Sequence, residues 1–274
     1  MKTFFYFLVI LATALTNAVA QGATPTPEAT PDTEKRAKAA VFLEQANTCP
    51  PKNSLCKITA FSKAIEISPD FAEAYNGRAI AYRTTGDDSR ALADFGRVIE
   101  LDPRAASAYF NRATILASHN ELSEAIENFS KTLEILPESA SAYLGRGNAH
   151  LRSRHYQSAI SDFEKVIQLD PKSSDAYFDR GTVFYLRNDI AKAIDDFTKA
   201  IELRPDLEIA YLSRSKCYDL KGDTEKALTD LAKFIELQPM DVRGYQERVN
   251  IYDKLGDKEK ADADRQKITE IRKH

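Results

Sequence analysis

The side chains that could do chemistry in this chain are few: three cysteines, four histidines and one evenly spaced set of arginines. The histidines, His119, His150, His155 and His274, lack the spaced cysteine or carboxylate companions that hold zinc, so no metal site is expected. No glycine-rich phosphate loop, nucleophile elbow or paired-histidine protease motif occurs, and the chain reads as a non-enzyme that needs no cofactor. Cys49 and Cys56 flank Pro50 and Pro51 in one loop. They would form a disulfide in an oxidising compartment, with two unpaired thiols as the alternative. Cys217 is expected to stay reduced and partly buried. The glycosylation-type triplet Asn128, Phe129 and Ser130 falls inside a helical pattern against a core phenylalanine and is discounted.

The arginines are Arg78, Arg112, Arg146, Arg180, Arg214 and Arg248, each 34 residues from the next. Such a ladder would suit phosphate or carboxylate ligands if it faced solvent. A structural role is favoured, because an unpaired arginine stripe on a packed face would cost several kcal/mol per step. The expected partners are Asp94, Asp162, Asp196, Asp230 and Asp264, or the glutamates Glu100, Glu134, Glu202 and Glu236. His150 falls in an aromatic column and reads as a core histidine.

The elements that carry these residues follow the same period. Tyrosine recurs at 75, 109, 143, 177, 211 and 245, with small residues four positions on and larger ones, among them Tyr82, Phe184 and Tyr252, seven positions on. Offsets of four and seven share one helix face. A second segment places alanine at 91, 125, 159, 193, 227 and 261, followed four residues later by Phe95, Phe129, Phe163, Phe197, Leu231 and Arg265. Between the two segments stand Gly86, Asn120, Arg154, Asn188, Gly222 and Gly256, mostly residues that tolerate the left-handed backbone at a helix end. Prolines 69, 103, 137, 171, 205 and 239 stop each second helix.

This pattern resembles the tetratricopeptide repeat, in which an aromatic, small and aromatic helix is followed by Ala-x-x-x-Phe and a closing proline. The resemblance implies an all-α fold, a right-handed α-solenoid of antiparallel helix pairs. Six repeats cover 72–105, 106–139, 140–173, 174–207, 208–241 and 242–274, preceded by a degenerate unit at 35–71 recognisable by Phe61, Ala64 and Ile65. The chain departs from the family pattern where arginine replaces leucine three residues after each tyrosine, and where Arg265 replaces phenylalanine in the final helix, as suits a cap facing water.

In this family the first helix of each repeat lines the concave surface. Here the residues one, five and eight after each tyrosine share a face distinct from the packed one. The first of these sets gives Phe110, Leu144, Phe178 and Leu212, to which the last adds Leu151 and Tyr185. These six are the expected partner-binding groove, apolar in the middle and polar at its ends. The alternative is that they pack against neighbouring first helices. The lysine, asparagine and arginine set by which some relatives grip a carboxylate tail is missing.

At 43% hydrophobic and 29% charged residues, the chain of 274 has enough apolar content for a core, and its net charge of -3 with no basic block argues against nucleic acid as partner. Lys2, the apolar run Phe4 to Leu15 and the small residues before Gln21 read as a secretory signal at 1–20, cleaved between Ala20 and Gln21, with an uncleaved anchor as the alternative. The Thr- and Pro-rich stretch 21–34 reads as a disordered spacer. The expectation is thus a secreted or periplasmic scaffold without an integral membrane segment after cleavage, binding a protein or peptide in its groove. The competing reading is a structural subunit of an envelope or secretion assembly, held by its ends and convex face.

Overall fold

The structure, a computed structural model, describes residues 31–273. The signal segment with its cleavage point at Ala20 and Gln21, and spacer residues 21–30, lie outside the described residues. Fourteen helices hold about four-fifths of the described residues. They are α1 (Pro31–Thr48), α2 (Ser54–Ile67), α3 (Ala72–Thr84), α4 (Asp88–Leu101), α5 (Ala106–Ser118), α6 (Leu122–Ile135), α7 (Ala140–Arg152), α8 (Tyr156–Leu169), α9 (Ser174–Leu186), α10 (Ile190–Leu203), α11 (Glu208–Lys221), α12 (Thr224–Leu237), α13 (Val242–Leu255) and α14 (Lys258–Ile271). No strand occurs among the described residues, and the fold is an all-α solenoid of antiparallel helix pairs. The chain divides into two compact units, one ending at Asp94 and one beginning at Phe95.

Helix α1 begins at Pro31 and so takes in residues 31–34, which composition alone assigns to the spacer. A proline at the first helical position costs no hydrogen bond, and Asp32 and Glu34 complement the positive end of the helix. In this first unit Ala39, Ala46, Ala60, Phe61, Ala64, Phe71 and Ala74 form the core, with Phe42 and Leu43 packed beside them. The hairpin between α1 and α2 is closed by a disulfide between Cys49 and Cys56, whose Cα atoms are 6.0 Å apart. Asn53 caps α2 by accepting a bond from the Cys56 amide at 3.0 Å.

The second unit repeats one local plan. Each first helix ends in a left-handed residue, with φ of 65° at Asn120, 61° at Arg154, 62° at Asn188, 79° at Gly222 and 74° at Gly256. That conformation reverses the chain into the second helix, which lies antiparallel to the first. At the far end the residue before the proline leaves the helical region, as with Asp170 at φ -135° and ψ 91°, because the proline ring crowds a helical predecessor. Phe95, Phe163, Phe197 and Phe234 are fully buried, and glycines lie against the last three. The Phe163 ring lies so close to Gly147 that a Cβ there would stand 2.7 Å from it, so α7 and α8 can approach this closely only with glycine.

Cys217 is wholly buried and unpaired, and burial pushes its thiol up to about 11. Arg265 lies on the outer face of α14 and pairs with Asp253 and Asp262 at 2.6 and 2.7 Å, in keeping with a cap that meets water.

Candidate functional site

The arginine ladder is built into the packing. Arg78, Arg146, Arg180, Arg214 and Arg248 each donate two parallel bonds of 2.7 to 2.9 Å to an aspartate sixteen residues on, namely Asp94, Asp162, Asp196, Asp230 and Asp264. In three cases the same guanidinium reaches back sixteen residues, to Ser62, Ser130 or Thr198. Each of the six also sits over the tyrosine three residues before it, 5.5 to 5.9 Å from the ring centre. The aspartate column, rather than the glutamates, is therefore the partner. Arg112 alone meets an amide, donating to Asn128 Oδ1 at 2.7 Å. Asn128 is buried and spends its own amide on the Glu124 carbonyl.

The residues singled out by spacing lie on the first helices. Phe110, Leu144 and Phe178 stand on α5, α7 and α9, half-buried, and Leu151 and Tyr185 lie farther along α7 and α9, also half-buried. One flank of each rests on the core. The Phe110 ring meets Phe129 edge-on at 5.7 Å, and Phe178 lies 5.6 Å from Phe197. Leu144 and Leu151 pack against Ala159, Ile160, Phe163 and Val183, while Tyr185 rests on the cluster of Ala193, Phe197 and Cys217. The remaining flank faces solvent.

Leu212 does not belong to this face. It is 3% exposed and packs with Ala227, Leu231, Phe234 and Ile251. It is covered from two helices, by Leu231 and Phe234 of α12 and by Ile251 of α13, the first helix of the next repeat. Of the six residues expected from spacing, five are half-buried and Leu212 is buried.

Two groups on this face escape a reading by apolar spacing. Asp179 of α9 is half-buried, and desolvation pushes its carboxyl up to about 6, with Asn148 of α7 pulling the other way and Asp175 adding repulsion. Residue types at this position vary along the chain, so only the neighbouring helix reveals it. Two repeats on, the corresponding pair is ionic, with Lys216 Nζ 3.1 Å from Glu247 Oε1. Among the described residues no group of histidine, cysteine and acids is arranged to hold a metal ion, and no helix is long and apolar enough to cross a membrane.

Paired antiparallel helices at a 34-residue period, with tyrosine, small, alanine and phenylalanine columns in the core, define an α-helical repeat protein of the interaction-scaffold class. The tetratricopeptide repeat pattern matches residues 78–140, 147–217, 209–240 and 242–274, and the chain belongs to that family. No curated protein matches it. Among solved structures it is similar to YrrB, described as a tetratricopeptide repeat protein with an unusual peptide-binding site. The identity is 25% and the TM-score 0.61, over 70% of this chain and 98% of that one. It is also similar to MamA, at 27% identity and a TM-score of 0.57 over 59% and 94%. PilF of Pseudomonas aeruginosa shares the fold at 17% identity and a TM-score of 0.65, over 81% and 100%.

Proposed function

We propose that the protein is an exported interaction scaffold that takes a protein or peptide segment in the groove formed by α5, α7 and α9. The observation that carries this reading is the row Phe110, Leu144 and Phe178, continued by Leu151 and Tyr185, each braced on the core by one flank and open on the other. Apolar surface held in this way is already ordered, so a partner gains contact without a large ordering cost. The peptide-binding site named for the similar YrrB supports the same class of function. Export is supported by the disulfide between Cys49 and Cys56, which survives poorly in a reducing cytosol. An exported chain beginning at Gln21 in its native host would agree with this, and one beginning at Met1 would overturn it.

The groove itself is tested without disturbing the core. Thr114 and Thr182 lie one turn beyond Phe110 and Phe178, and their hydroxyls bond only to those residues' own carbonyls, at 2.9 and 3.0 Å. The double variant Thr114→Arg and Thr182→Arg should remain folded by circular dichroism and lose the capped heptapeptides that the unaltered protein selects from a random library. Selection of the same peptides by both proteins, or of none by either, overturns the groove.

A further inference from the structure

The last turns of the first helices α7, α9, α11 and α13 share one position of the 34-residue period, filled by Arg152, Leu186, Leu220 and Lys254. The two outer members tie their helix to the preceding repeat. Arg152 donates to the Ala117 carbonyl at 2.6 Å and to Asn120 Oδ1 at 3.0 Å, and Lys254 reaches Asp219 at 2.7 Å. The two inner members are apolar and open to solvent, Leu186 at 50% exposure and Leu220 at 61%. The step of 35 residues that separates Arg152 from Ala117, and Lys254 from Asp219, also separates Leu186 from Leu151 and Leu220 from Tyr185. Apolar pairs thus stand where the flanking repeats place polar ties, and they carry the row of the proposed groove to the ends of its helices.

The charges beside these leucines are of one sign. Arg187 follows Leu186, Lys221 follows Leu220, and Arg154 stands in the turn after α7, all three exposed. Arg187 bonds to the neutral Gln157 side chain at 3.1 Å, and the bonds of Arg152 also end on neutral oxygens. Arg154 and Lys221 pair with no carboxylate among the described residues. The nearby acids are spent on other bases: Asp189 on Lys192 at 3.0 Å, Asp223 on Lys226 at 3.6 Å and Asp219 on Lys254. Bases suit the negative end of a helix, which accounts for their place in these turns and leaves their charge open to a second partner.

We propose that the segment bound by this face carries aspartate or glutamate side chains between apolar ones. Its acids meet Arg154, Arg187 and Lys221, and its apolar side chains cover Leu186 and Leu220. This rests on the reading of the first-helix face as a peptide groove and adds the charge of the ligand. Exposed bases without acids steer an acidic segment and reject a basic one, and salt screens that selection. The exposed leucines supply the apolar contact that a purely charged edge would lack.

Random capped heptapeptides selected on the full chain and on three double variants test this. The variants are Arg187→Glu with Lys221→Glu, Leu186→Ser with Leu220→Ser, and the plug Thr114→Arg with Thr182→Arg. The first two alter exposed side chains and should match the unaltered protein by circular dichroism. The unaltered protein should enrich aspartate or glutamate flanked by apolar residues, and its best acidic peptide should bind about tenfold more weakly in 0.5 M than in 0.05 M NaCl. The charge-reversed variant should enrich lysine or arginine instead. The serine variant should keep the acidic preference and bind the same peptide about tenfold more weakly. Selected peptides without an acidic preference, or an acidic preference unchanged by charge reversal, overturn this inference and leave the groove standing. Cosedimentation with phosphatidylglycerol vesicles that the serine variant loses, in place of any acidic peptide preference, overturns it in favour of a lipid surface. No peptide selected by any of the proteins, or the same peptides selected despite the arginine plugs, overturns the groove and this inference with it.

Discussion

Arg146 and Asp162 meet through two parallel bonds, Nε to Oδ2 at 2.9 Å and Nη2 to Oδ1 at 2.7 Å, whereas Arg112 at the corresponding place finds Asn128 and donates to it at 2.7 Å. A charge-assisted fork is roughly twice as strong as a neutral bond. Asn128→Asp should therefore stabilise the protein by about 0.5 to 1.5 kcal/mol, after loss of the Asn128 bond to the Glu124 carbonyl. Asp162→Ala leaves Arg146 part-buried and uncompensated and should cost about 3 to 5 kcal/mol. Urea unfolding of the three proteins measures both, and a destabilised Asn128→Asp would show that the amide is preferred at this one place.

His150 occupies a position filled by phenylalanine at 184 in the next repeat. Its Nε2 is 4.0 Å from Asp162, and its Nδ1 is buried with no hydrogen-bond partner. Burial holds its pKa below the usual 6.5, aided by Arg146 and His155 against the pull of Asp162. The unfolded chain then binds the proton first, so this residue's contribution to stability is lost as pH falls from about 6.5 toward the folded-state value. His150→Phe should unfold at higher urea than the unaltered protein at pH 5.0, by a margin larger than at pH 7.5. A margin independent of pH would contradict the assignment.

Asp179 has the opposite sign. Its folded-state carboxyl titrates at about 6 against an ordinary 3.8, so the folded protein keeps the proton longer and loses stability as pH rises through that window. Asp179→Asn should be more stable at pH 7.5 by on the order of 1 to 3 kcal/mol, with the gain vanishing below about pH 4. Thermal melts of the two proteins across pH 3.5 to 7.5 would reveal it.

The disulfide closes a short loop in the first unit, and chain entropy gives it about 2.5 kcal/mol. Reduction should raise amide exchange in residues 31–67 and leave the helices from α5 onward nearly unchanged. Thiol titration of the oxidised protein should find no reactive group until denaturation, and then one, Cys217.

The repeat plan was legible in the sequence because identical spacing forces identical packing: tyrosine, alanine and phenylalanine columns can be read without coordinates. Asn120, Arg154 and Asn188 take the same left-handed turn as the glycines, so position in the period outweighs residue type there. The arginine partners were narrowed to two columns and needed the structure to choose between them. Leu212 misled because depth depends on neighbouring helices, here Leu231 and Phe234 of α12 and Ile251 of α13. Asp179 was missed for the converse reason. Its lack of a counterion is a property of the neighbouring helix, and no pattern within α9 encodes it.

The reach of Arg146, sixteen residues back to Ser130 and sixteen forward to Asp162, has a consequence for how such a chain can change in length. Excision of residues 140–173 would place Arg180 sixteen positions after Ser130 while leaving it sixteen before Asp196, so the arginine tie across the junction could be remade. Any cut that is not a multiple of the period would strand a guanidinium on one side and an aspartate on the other. The molecule's permitted sizes are therefore discrete, and the array can gain or shed one whole repeat at a time while its arginine ladder stays in register.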